Sequence, residues 1–377
     1  MKFKEFKSGK WLKQFEYKSF SPVPINVEWT WEDGMINTLL EKATRAVGEL
    51  NAYSLMVPDV DRFIRMHVVK EAIMSSRIEG TQTDMDEAIR PVELVAVERR
   101  DDWQEVQNYV EAMNQAIEQL EKLPLSNRLL RDTHECLMQG VRGKDKFPGK
   151  FRTSQNWIGG SGPSDAAFVP PHHGEVASLM GDLELFLHNE EINVPNLIRI
   201  AIAHYQFETI HPFCDGNGRI GRLLITLYLC SLGILKKPTL YLSAYLEQHK
   251  GKYYDALTTV RHSNDIGHWV RFFLQAILTT AEKGRVTFEN VLALRTEVEE
   301  SILELGKRAG NARVLLEHLY HQPQVTPNDV AELLDVTHQT ASALIREFER
   351  MNILEAGPQV DRSQAFVFRR YVDLFAP

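Results

Sequence analysis

The sequence lacks several features that would point to particular classes of protein. It has three cysteines in 377 residues, Cys136, Cys214 and Cys230, which is too few for a disulfide scaffold and typical of a reducing compartment. An excess of basic residues is also missing: the formal net charge of −8 argues against a protein built mainly to coat nucleic acid. Internal repeats and low-complexity tracts are absent from the sequence.

Long hydrophobic runs are missing as well. The longest apolar run, Leu223 to Leu235, contains Thr226 and Ser231 and is too short to span a bilayer, so it predicts a buried helix. The start, Met1 to Phe20, is basic and aromatic without an apolar core, so a secretory signal is not expected. These observations predict a soluble, cytoplasmic protein of two or three domains that has no membrane partner.

What the sequence does have is helical periodicity, with apolar residues recurring every three to four positions through most of the chain. The predicted fold class is therefore mainly α. The predicted helices cover residues 35–53, 61–78, 102–120, 126–138, 193–207 and 218–232, and the last two are apolar enough to be central. Residues 147–173 are instead rich in Gly, Pro, Ser and aromatics, which predicts a functional loop with a short hairpin pairing 155–158 with 167–169.

The segment from His211 to Arg222 is the most informative stretch, and it runs His-Pro-Phe-Cys-Asp-Gly-Asn-Gly-Arg-Ile-Gly-Arg. Histidine can take a proton near neutral pH, a carboxylate can hold Mg²⁺, and arginines bind phosphate oxygens in a fork. Pro212 favours the end of one helix, and the glycines that follow place backbone N–H groups at the start of the next, where anions bind. The spacing therefore predicts phosphate and a metal near a histidine.

The glycines of this segment also match another fingerprint. Gly216, Gly218 and Gly221 fit the Gly-x-Gly-x-x-Gly pattern of dinucleotide-binding proteins. That pattern requires a preceding strand in a βαβ unit, whereas a predicted helix precedes it here. We therefore reject a dinucleotide-binding fold.

The same segment resembles the Fic-family signature, His-Pro-Phe-x-(Asp/Glu)-Gly-Asn-Gly-Arg-x-x-Arg, at every fixed position. Fic proteins typically transfer AMP from ATP to a protein hydroxyl. The resemblance therefore implies a nucleotidyltransferase, a protein adenylyltransferase that uses ATP and Mg²⁺ to modify a Ser, Thr or Tyr of a target protein or of itself. Kinase-like relatives have Lys at the position of Gly216, and glycine is similar to the nucleotidyl-transferring type. Transfer of phosphocholine or of another nucleotide stays open.

The resemblance implies a role for each polar residue of the signature. His211 is the expected catalytic base, which removes the proton from the incoming hydroxyl, and Asp215 is the expected Mg²⁺ ligand. The remaining expected contacts are to the nucleotide: the N–H groups of Gly216, Asn217 and Gly218 face the anion, Asn217 and Arg219 hold the α- and β-phosphates, and Arg222 holds the γ-phosphate.

Two further segments resemble parts of the family's nucleotide site. Ile158, Gly159 and Gly160 resemble the flap, which covers the nucleotide and presents a strand edge to the target protein. Tyr253 and Tyr254 resemble a tyrosine pair that lines the nucleotide pocket.

Residues 75–80, Ser-Ser-Arg-Ile-Glu-Gly, resemble the family's inhibitory motif, which begins at Ser75 and places its glutamate at Glu79. The resemblance implies that Glu79 pairs with Arg222 and occupies the guanidinium that the γ-phosphate needs. A charge-assisted pair of this kind is worth about 1.5–3 kcal/mol, enough to suppress most activity. Relatives with such a glutamate can sometimes remove AMP, so de-AMPylation stays open.

The end of the chain resembles a winged helix-turn-helix. Pro327 opens one helix, Thr337 caps the next, and 353–355 with 365–368 are the predicted wing strands. Residues 311–377 carry nine acidic and six basic side chains, a net charge of −3, so we favour protein contact or dimerisation over DNA binding.

The predicted domains are an N-terminal helical region with the inhibitory motif (1–100), a Fic catalytic core (101–285), a connector helix (286–310) and a winged-helix-like domain (311–377). A homodimer is left open. Two alternative functions also remain: a DNA-binding regulator whose Fic core senses nucleotide, and a Mg²⁺-dependent phosphohydrolase.

Overall fold

The structure, a computed structural model, describes residues 1–56, 60–140, 145–360 and 363–375, and helices make up most of it. The helices are α1 (Gly34–Met56), α2 (Val60–Ile78), α3 (Met85–Ala88), α4 (Arg100–Leu120), α5 (Asn127–Leu137), α6 (Val176–His188), α7 (Asn196–Ile210), α8 (Asn217–Ser231), α9 (Ser243–Gln248), α10 (Lys250–Ser263), α11 (Ile266–Leu303), α12 (Ala309–His321), α13 (Pro327–Leu334), α14 (His338–Arg350) and α15 (Arg369–Asp373). The strands are β1 (Gly9–Lys13), β2 (Lys18–Pro22), β3 (Gln324–Val325), β4 (Glu355–Val360) and β5 (Ser363–Val367). The prediction of a mainly α fold is confirmed.

Helices α7 and α8 lie at the centre, as their composition predicts. Every residue of α7 from Leu197 to Ile210 is buried, and so is most of α8. A helix that is apolar on all sides is stable only where other elements cover every face. The other helices pack around this pair, with α1 lying along α11 and α4 between α5 and α2. In the part of the chain that the structure describes, no helix combines the length and the hydropathy that crossing a membrane requires.

Helices α7 and α8 approach each other closely at Gly221. A Cβ atom at this position would overlap Glu208 Oε1 and lie 3.1 Å from Phe207 Cδ1. The missing side chain therefore allows the two central helices to pack in contact, which sets the position of the loop between them.

The predicted connector over 286–310 is not a separate helix. Helix α11 begins at Ile266 and runs without a break to Leu303, so the core helix and the connector are one element. Gly284, where the composition changes, stays helical because it packs against Leu50 of α1. The buried stripe continues beyond it through Phe288, Val291, Leu294, Val298 and Ile302.

The predicted flap hairpin is smaller than expected. Its two segments meet in one antiparallel bridge, in which Ile158 and Phe168 exchange N–H···O=C bonds of 2.8 and 3.1 Å. Gly159 and Gly160 both have positive φ (+70° and +72°), which turns the chain away from an extended strand. A hairpin that the sequence did not predict, β1 paired antiparallel with β2, lies beside the flap and donates the Phe20 N–H to the carbonyl of Val169.

The C-terminal residues form the predicted winged helix-turn-helix. A three-stranded sheet in the order β3-β5-β4 accompanies α12 to α14, and Thr326 caps α13 while Thr337 caps α14. The wing strands are longer than predicted, because β4 runs from Glu355 to Val360 and β5 from Ser363 to Val367. Ile353 and Leu354, which were predicted in the first strand, precede β4 and are buried in the small core of this module.

The winged helix is docked on α2. The ring of Phe63 lies 4.8 Å from that of Tyr320, and the ring of His67 lies 4.9 Å from that of Phe375. Arg369 forms an ion pair of 2.7 Å with Asp86 of α3. The module therefore holds the chain on both sides of the segment that contains Glu79.

We predict that Gly221→Ala destabilises the protein by about 1–3 kcal/mol because the methyl group overpacks the contact between α7 and α8. Gly48→Ala is the matched control, since Gly48 is an exposed helical glycine whose added Cβ would meet nothing within 4 Å. The control should raise stability by about 0.4–1 kcal/mol. Urea denaturation of both variants checks the pair, and a Gly221→Ala protein as stable as the wild type would contradict the close packing.

Candidate active site

The loop between α7 and α8 begins with an unusual backbone conformation. His211 ends α7 with a φ of +50°, which is uncommon for a residue with a side chain. Arg152 holds this turn, because its Nε donates to the His211 carbonyl at 2.9 Å and its backbone N–H donates to the Pro212 carbonyl at 2.8 Å. Asn156 Nδ2 donates to the same His211 carbonyl at 3.2 Å. The segment predicted as the flap is thus tied at its base to the histidine.

Asn217, at the α8 end of the loop, fixes the loop by two hydrogen bonds to the backbone of Phe213. Its Oδ1 accepts the Phe213 N–H at 2.8 Å and its Nδ2 donates to the Phe213 carbonyl at 2.9 Å. The sequence predicts that Asn217 holds the α- and β-phosphates, and its side-chain amide is committed to Phe213. What Asn217 offers to a phosphate is its backbone N–H, at the first residue of α8.

His134 on α5 also holds this loop, a role that its sequence position did not predict. Its ring stacks on Phe213 at 3.8 Å, its Nδ1 accepts the Gly149 N–H at 2.9 Å, and its Nε2 donates to the Asp215 carbonyl at 3.0 Å. Burial lowers the pKa of His134 to about 4, so the ring is neutral and keeps one tautomer. A lone histidine in a helical pattern carried no signal of this contact.

The start of α8 has the geometry to bind an anion. Gly216 precedes it with a φ of +73°, and the first N–H groups of α8, at Asn217, Gly218 and Arg219, have no partner within the helix. A cleft of about 520 Å³ opens beside this start, with Asp215, Arg219 and Glu79 in its lining. Its lining carries four carboxylates (Glu79, Asp101, Glu105 and Asp215) and two arginines (Arg100 and Arg219). The attraction for a phosphate therefore comes from the N–H groups of α8 and from Arg219 rather than from the net charge of the cleft.

Arg219 and Asp215 lie one turn apart on the same face of that helix start, with Arg219 Nη2 4.0 Å from Asp215 Oδ1. The Arg219 side chain is almost buried, and its Nη1 is 3.3 Å from Glu105 Oε2 of α4. The carboxylate of Asp215 is about half exposed (49%), and its Oδ1 accepts the Gly216 N–H at 2.6 Å. Asp215 therefore has room for a further ligand, whereas Arg219 already has an acidic neighbour.

Arg222 lies one turn further along α8, and its partners come from the end of α2. The side chain is 1% exposed. Its Nε donates to Ser75 Oγ at 2.9 Å, and its Nη2 donates to the Ser75 carbonyl at 2.9 Å and to Glu79 Oε1 at 2.7 Å. Gly218 permits this arrangement, because a Cβ there would overlap Glu79 Oε1.

The electrostatics of the pair agree with its geometry. Burial raises the pKa of Glu79, but the charge and the hydrogen bond of Arg222, together with the charge of Arg219, outweigh it and hold that pKa below its ordinary value. Lys250 secures the segment by donating from Nζ to the Ile78 carbonyl at 2.6 Å. Glu79 is therefore ionised at neutral pH and held against the guanidinium.

The His211 imidazole is neutral. Its pKa is lowered to about 3, chiefly by burial; Glu79 raises this pKa, and the nearby Arg261 and Arg152 lower it. Its Nδ1 atom is buried and has no hydrogen-bond partner among the residues that the structure describes. A neutral imidazole near the start of α8 can act as a general base once a hydroxyl lies within hydrogen-bond reach of it.

Comparison with protein families agrees with this geometry. Residues 37–118 match the Fic/DOC family N-terminal region, and residues 124–229 match the Fic/DOC family itself. Residues 124–229 are a Fic domain. The C-terminal module matches the MarR family over residues 310–362, in agreement with its winged-helix fold.

Individual relatives resemble this chain over parts of their length. The protein adenylyltransferase Fic of Aedes aegypti is 38% identical over 125 residues, which are 33% of this chain and 22% of that protein. The protein of the same name from Drosophila grimshawi is 32% identical over 180 residues, 48% of this chain and 33% of that one. The matches thus span a third or less of these relatives.

Solved structures share the fold. A Fic family protein from Desulfovibrio desulfuricans G20 has a TM-score of 0.56 and 21% identity, covering 91% of this chain and 97% of that one. A Fic domain containing signaling protein from Bacteroides thetaiotaomicron has a TM-score of 0.52 and 16% identity, covering 68% of this chain and 97% of that one.

The two tyrosines that follow the Fic domain have different environments. Tyr253 is buried, and its hydroxyl is 2.9 Å from His204 Nε2, whose Nδ1 lies 2.9 Å from the carbonyl of Gly221. Tyr254 is 41% exposed. Tyr253 is therefore connected to α8 through the His204 ring, and Tyr254 is the member of the pair that a nucleotide can reach.

The donor set of the Fic domain fits Mg²⁺ only in combination with a phosphate. Among the described residues, no group of three or more His, Cys, Asp or Glu side chains could hold a metal ion. Mg²⁺ is commonly bound by one or two carboxylates together with substrate phosphates and water. The half-exposed Asp215, beside the N–H groups of α8, has the position that such binding needs.

We predict that Tyr253→Phe costs about 1–3 kcal/mol of stability, because it leaves the buried Nε2 of His204 without a donor. Tyr254→Phe is the matched control and should change stability by less than about 0.5 kcal/mol, since Tyr254 is 41% exposed and its hydroxyl forms no hydrogen bond with the described residues. Urea denaturation measures both. Equal effects of the two substitutions would show that the hydrogen bond to His204 contributes nothing.

Proposed function

We propose that this chain is a protein adenylyltransferase that moves AMP from ATP to a Ser, Thr or Tyr hydroxyl of a target protein or of itself, and that Glu79 inhibits it. The observation that carries the proposal is the neutral His211 ring beside the anion-binding start of α8, with Arg222 already occupied by Glu79. The names of the relatives support the same reaction.

The proposed reaction is a single displacement at the α-phosphorus of ATP. The target hydroxyl oxygen forms a new bond to this phosphorus, the bond to the bridging oxygen of the β-phosphate breaks, and pyrophosphate leaves. His211 accepts the hydroxyl proton and later releases it to water. The negative charge of the triphosphate raises the proton affinity of the ring above that of the empty site, where the pKa is about 3.

The start of α8 orients the phosphates in this proposal. The N–H groups of Asn217 and Gly218 and the guanidinium of Arg219 face the α- and β-phosphates, and Arg222 binds the γ-phosphate. Mg²⁺ bound at Asp215 would neutralise charge on the phosphates. Tyr254 is placed to contact the base. The flap, at Ile158, Gly159 and Gly160, covers the nucleotide and presents its edge to the target.

The proposed inhibition acts through Arg222. While Glu79 holds the guanidinium, the γ-phosphate cannot bind it, and the α-phosphate is misoriented for attack. The Arg222 side chain is 1% exposed and the Glu79 side chain is 38% exposed, so solvent screens this pair in part. A pair worth about 1.5–3 kcal/mol corresponds to roughly a tenfold to hundredfold loss of productive binding.

We predict that Glu79→Gly raises incorporation of AMP into protein, including self-modification, by about ten to a hundred times, the factor that corresponds to the pair's energy. Mass spectrometry after incubation with ATP and Mg²⁺ measures the added AMP. Glu121→Gly is the matched control, because Glu121 is an exposed glutamate at the C-terminal end of α4. Equal labelling of the Glu79→Gly and wild-type proteins would refute the inhibition.

We predict that His211→Ala, introduced into the Glu79→Gly protein, lowers AMP transfer by at least about a hundred times, the usual contribution of a general base. ATP binding should persist, because the phosphate-binding groups on α8 are unchanged. Isothermal titration with ATP and labelling with α-labelled ATP separate the two properties. Transfer that survives this substitution would exclude His211 as the base.

The MarR match of residues 310–362 supports a second candidate, a DNA-binding regulator whose Fic domain senses nucleotide. Label from α-labelled ATP on protein supports transfer, whereas nucleotide binding without transfer, together with a salt-dependent shift of duplex DNA, supports the regulator. Free AMP without labelled protein identifies a phosphohydrolase. Loss of label from modified target, incubated with enzyme and Mg²⁺, identifies the reverse reaction.

A further inference from the structure

The β1–β2 hairpin has a charge opposite to that of the chain as a whole. Residues 7–18 contain four lysines, Lys7, Lys10, Lys13 and Lys18, and one carboxylate, Glu16, whereas the protein has a formal net charge of −8. All four lysines are exposed, and none has an ion-pair partner among the residues that the structure describes. The hairpin is therefore a basic patch on an acidic protein.

Two of these lysines face each other. In the register of the hairpin, Lys13 lies directly opposite Lys18. Like charges directly opposite each other across two antiparallel strands destabilise the pair. The arrangement costs the isolated hairpin stability, and an anion bound between the two ammonium groups would remove that cost.

The same face of the hairpin forms one wall of a cleft. The cleft has a volume of about 500 Å³ and lies between the hairpin tip and residues 163–169. Its lining combines Lys13 and Lys18 with Trp11, Phe15 and Phe168, and it also includes the carboxylate of Glu16. Phe15 is 96% exposed. A basic rim with exposed aromatic side chains suits a partner that is both acidic and partly apolar.

The cleft is continuous with the flap. Trp11 packs on Phe168, with ring centroids 6.0 Å apart, and Phe168 is bridged to Ile158. Asn156, two residues before Ile158, donates to the carbonyl of His211. A chain that lies in the cleft would therefore continue towards the flap edge next to the catalytic histidine.

We propose that this cleft binds an acidic, extended segment of the target protein and so selects the substrates of the Fic domain. The proposal rests on the proposed function, since it names the chemical class of target. An acidic peptide is favoured over a nucleic acid because the cleft adjoins a strand edge, which binds peptide backbone by hydrogen bonds. Its aromatic lining accepts apolar side chains interspersed among the carboxylates.

The test measures peptide binding directly. A fluorescein-labelled peptide of Asp, Glu, Ser and Tyr, and a peptide of equal length with Lys in place of the acidic residues, are titrated with the full chain by fluorescence polarisation. The acidic peptide should bind and the basic peptide should not. The double variant Lys13→Glu/Lys18→Glu should bind the acidic peptide at least tenfold more weakly, and Phe15→Ser should also weaken binding.

The matched control is Lys42→Glu/Lys307→Glu, which makes the same charge change at two exposed lysines outside the cleft. It should leave peptide binding unchanged. Equal affinity of the two double variants, or equal binding of the acidic and basic peptides, would overturn the proposal. So would an oligonucleotide that displaces the peptide and binds more tightly, because the occupant would then be a nucleic acid.

The binding assay needs no AMP transfer, so the two proposals fail separately. Self-modification by the Glu79→Gly protein without peptide binding would contradict the cleft proposal and leave the enzymatic function intact. Peptide binding by a protein that never transfers AMP would contradict the enzymatic function and reduce the cleft to a docking surface without a substrate role. Thermal unfolding of each variant verifies that these surface changes leave the fold unaltered.

Discussion

The burial of one guanidinium, that of Arg222, organises much of this structure. A buried cation is costly unless hydrogen bonds and an opposite charge compensate it. Arg222 donates hydrogen bonds at the end of α2, to the hydroxyl and carbonyl of Ser75 and to the carboxylate of Glu79, and Glu208 of α7 also stabilises its charge. This requirement joins α2 to the central helix α8. It also places a carboxylate where a phosphate would otherwise bind, so stabilisation of the empty site and its proposed inhibition are the same interaction.

The loop between α7 and α8 is held by residues from outside the signature as well as within it. Arg152 and His134 bind its carbonyl groups from the segment before the flap and from α5, and Asn217 closes it from within. These contacts hold His211 in a left-handed conformation that is rare for a residue with a side chain. A histidine fixed in this way needs little rearrangement when a nucleotide and a hydroxyl are brought to it.

Helix α2 links the site to the C-terminal module. Phe63 and His67 pack under the aromatic residues of the winged helix, and Asp86, beyond Glu79 in the chain, pairs with Arg369. The segment that carries Glu79 is therefore fastened on one side by Arg222 of the Fic domain and on the other by the winged helix. The position of the Glu79 carboxylate therefore depends on both modules.

The sequence alone determined the features that depend on neighbouring residues. These are the central helices, the winged helix and the twelve-residue signature from His211 to Arg222, because periodicity and a contiguous motif are local properties. The pairing of Glu79 with Arg222 was predicted too, but through family resemblance, since 143 residues separate them.

Tertiary structure decided which side chains are free to act. In the folded chain the amide of Asn217 bonds to Phe213, and Tyr253 is buried against His204. His134 contacts the loop after α7, and residues 9–22 form a basic hairpin. The local sequence pattern reveals none of these contacts. The physical reason is that a buried polar group takes whichever partner the packing of distant helices supplies, and that packing depends on the whole chain.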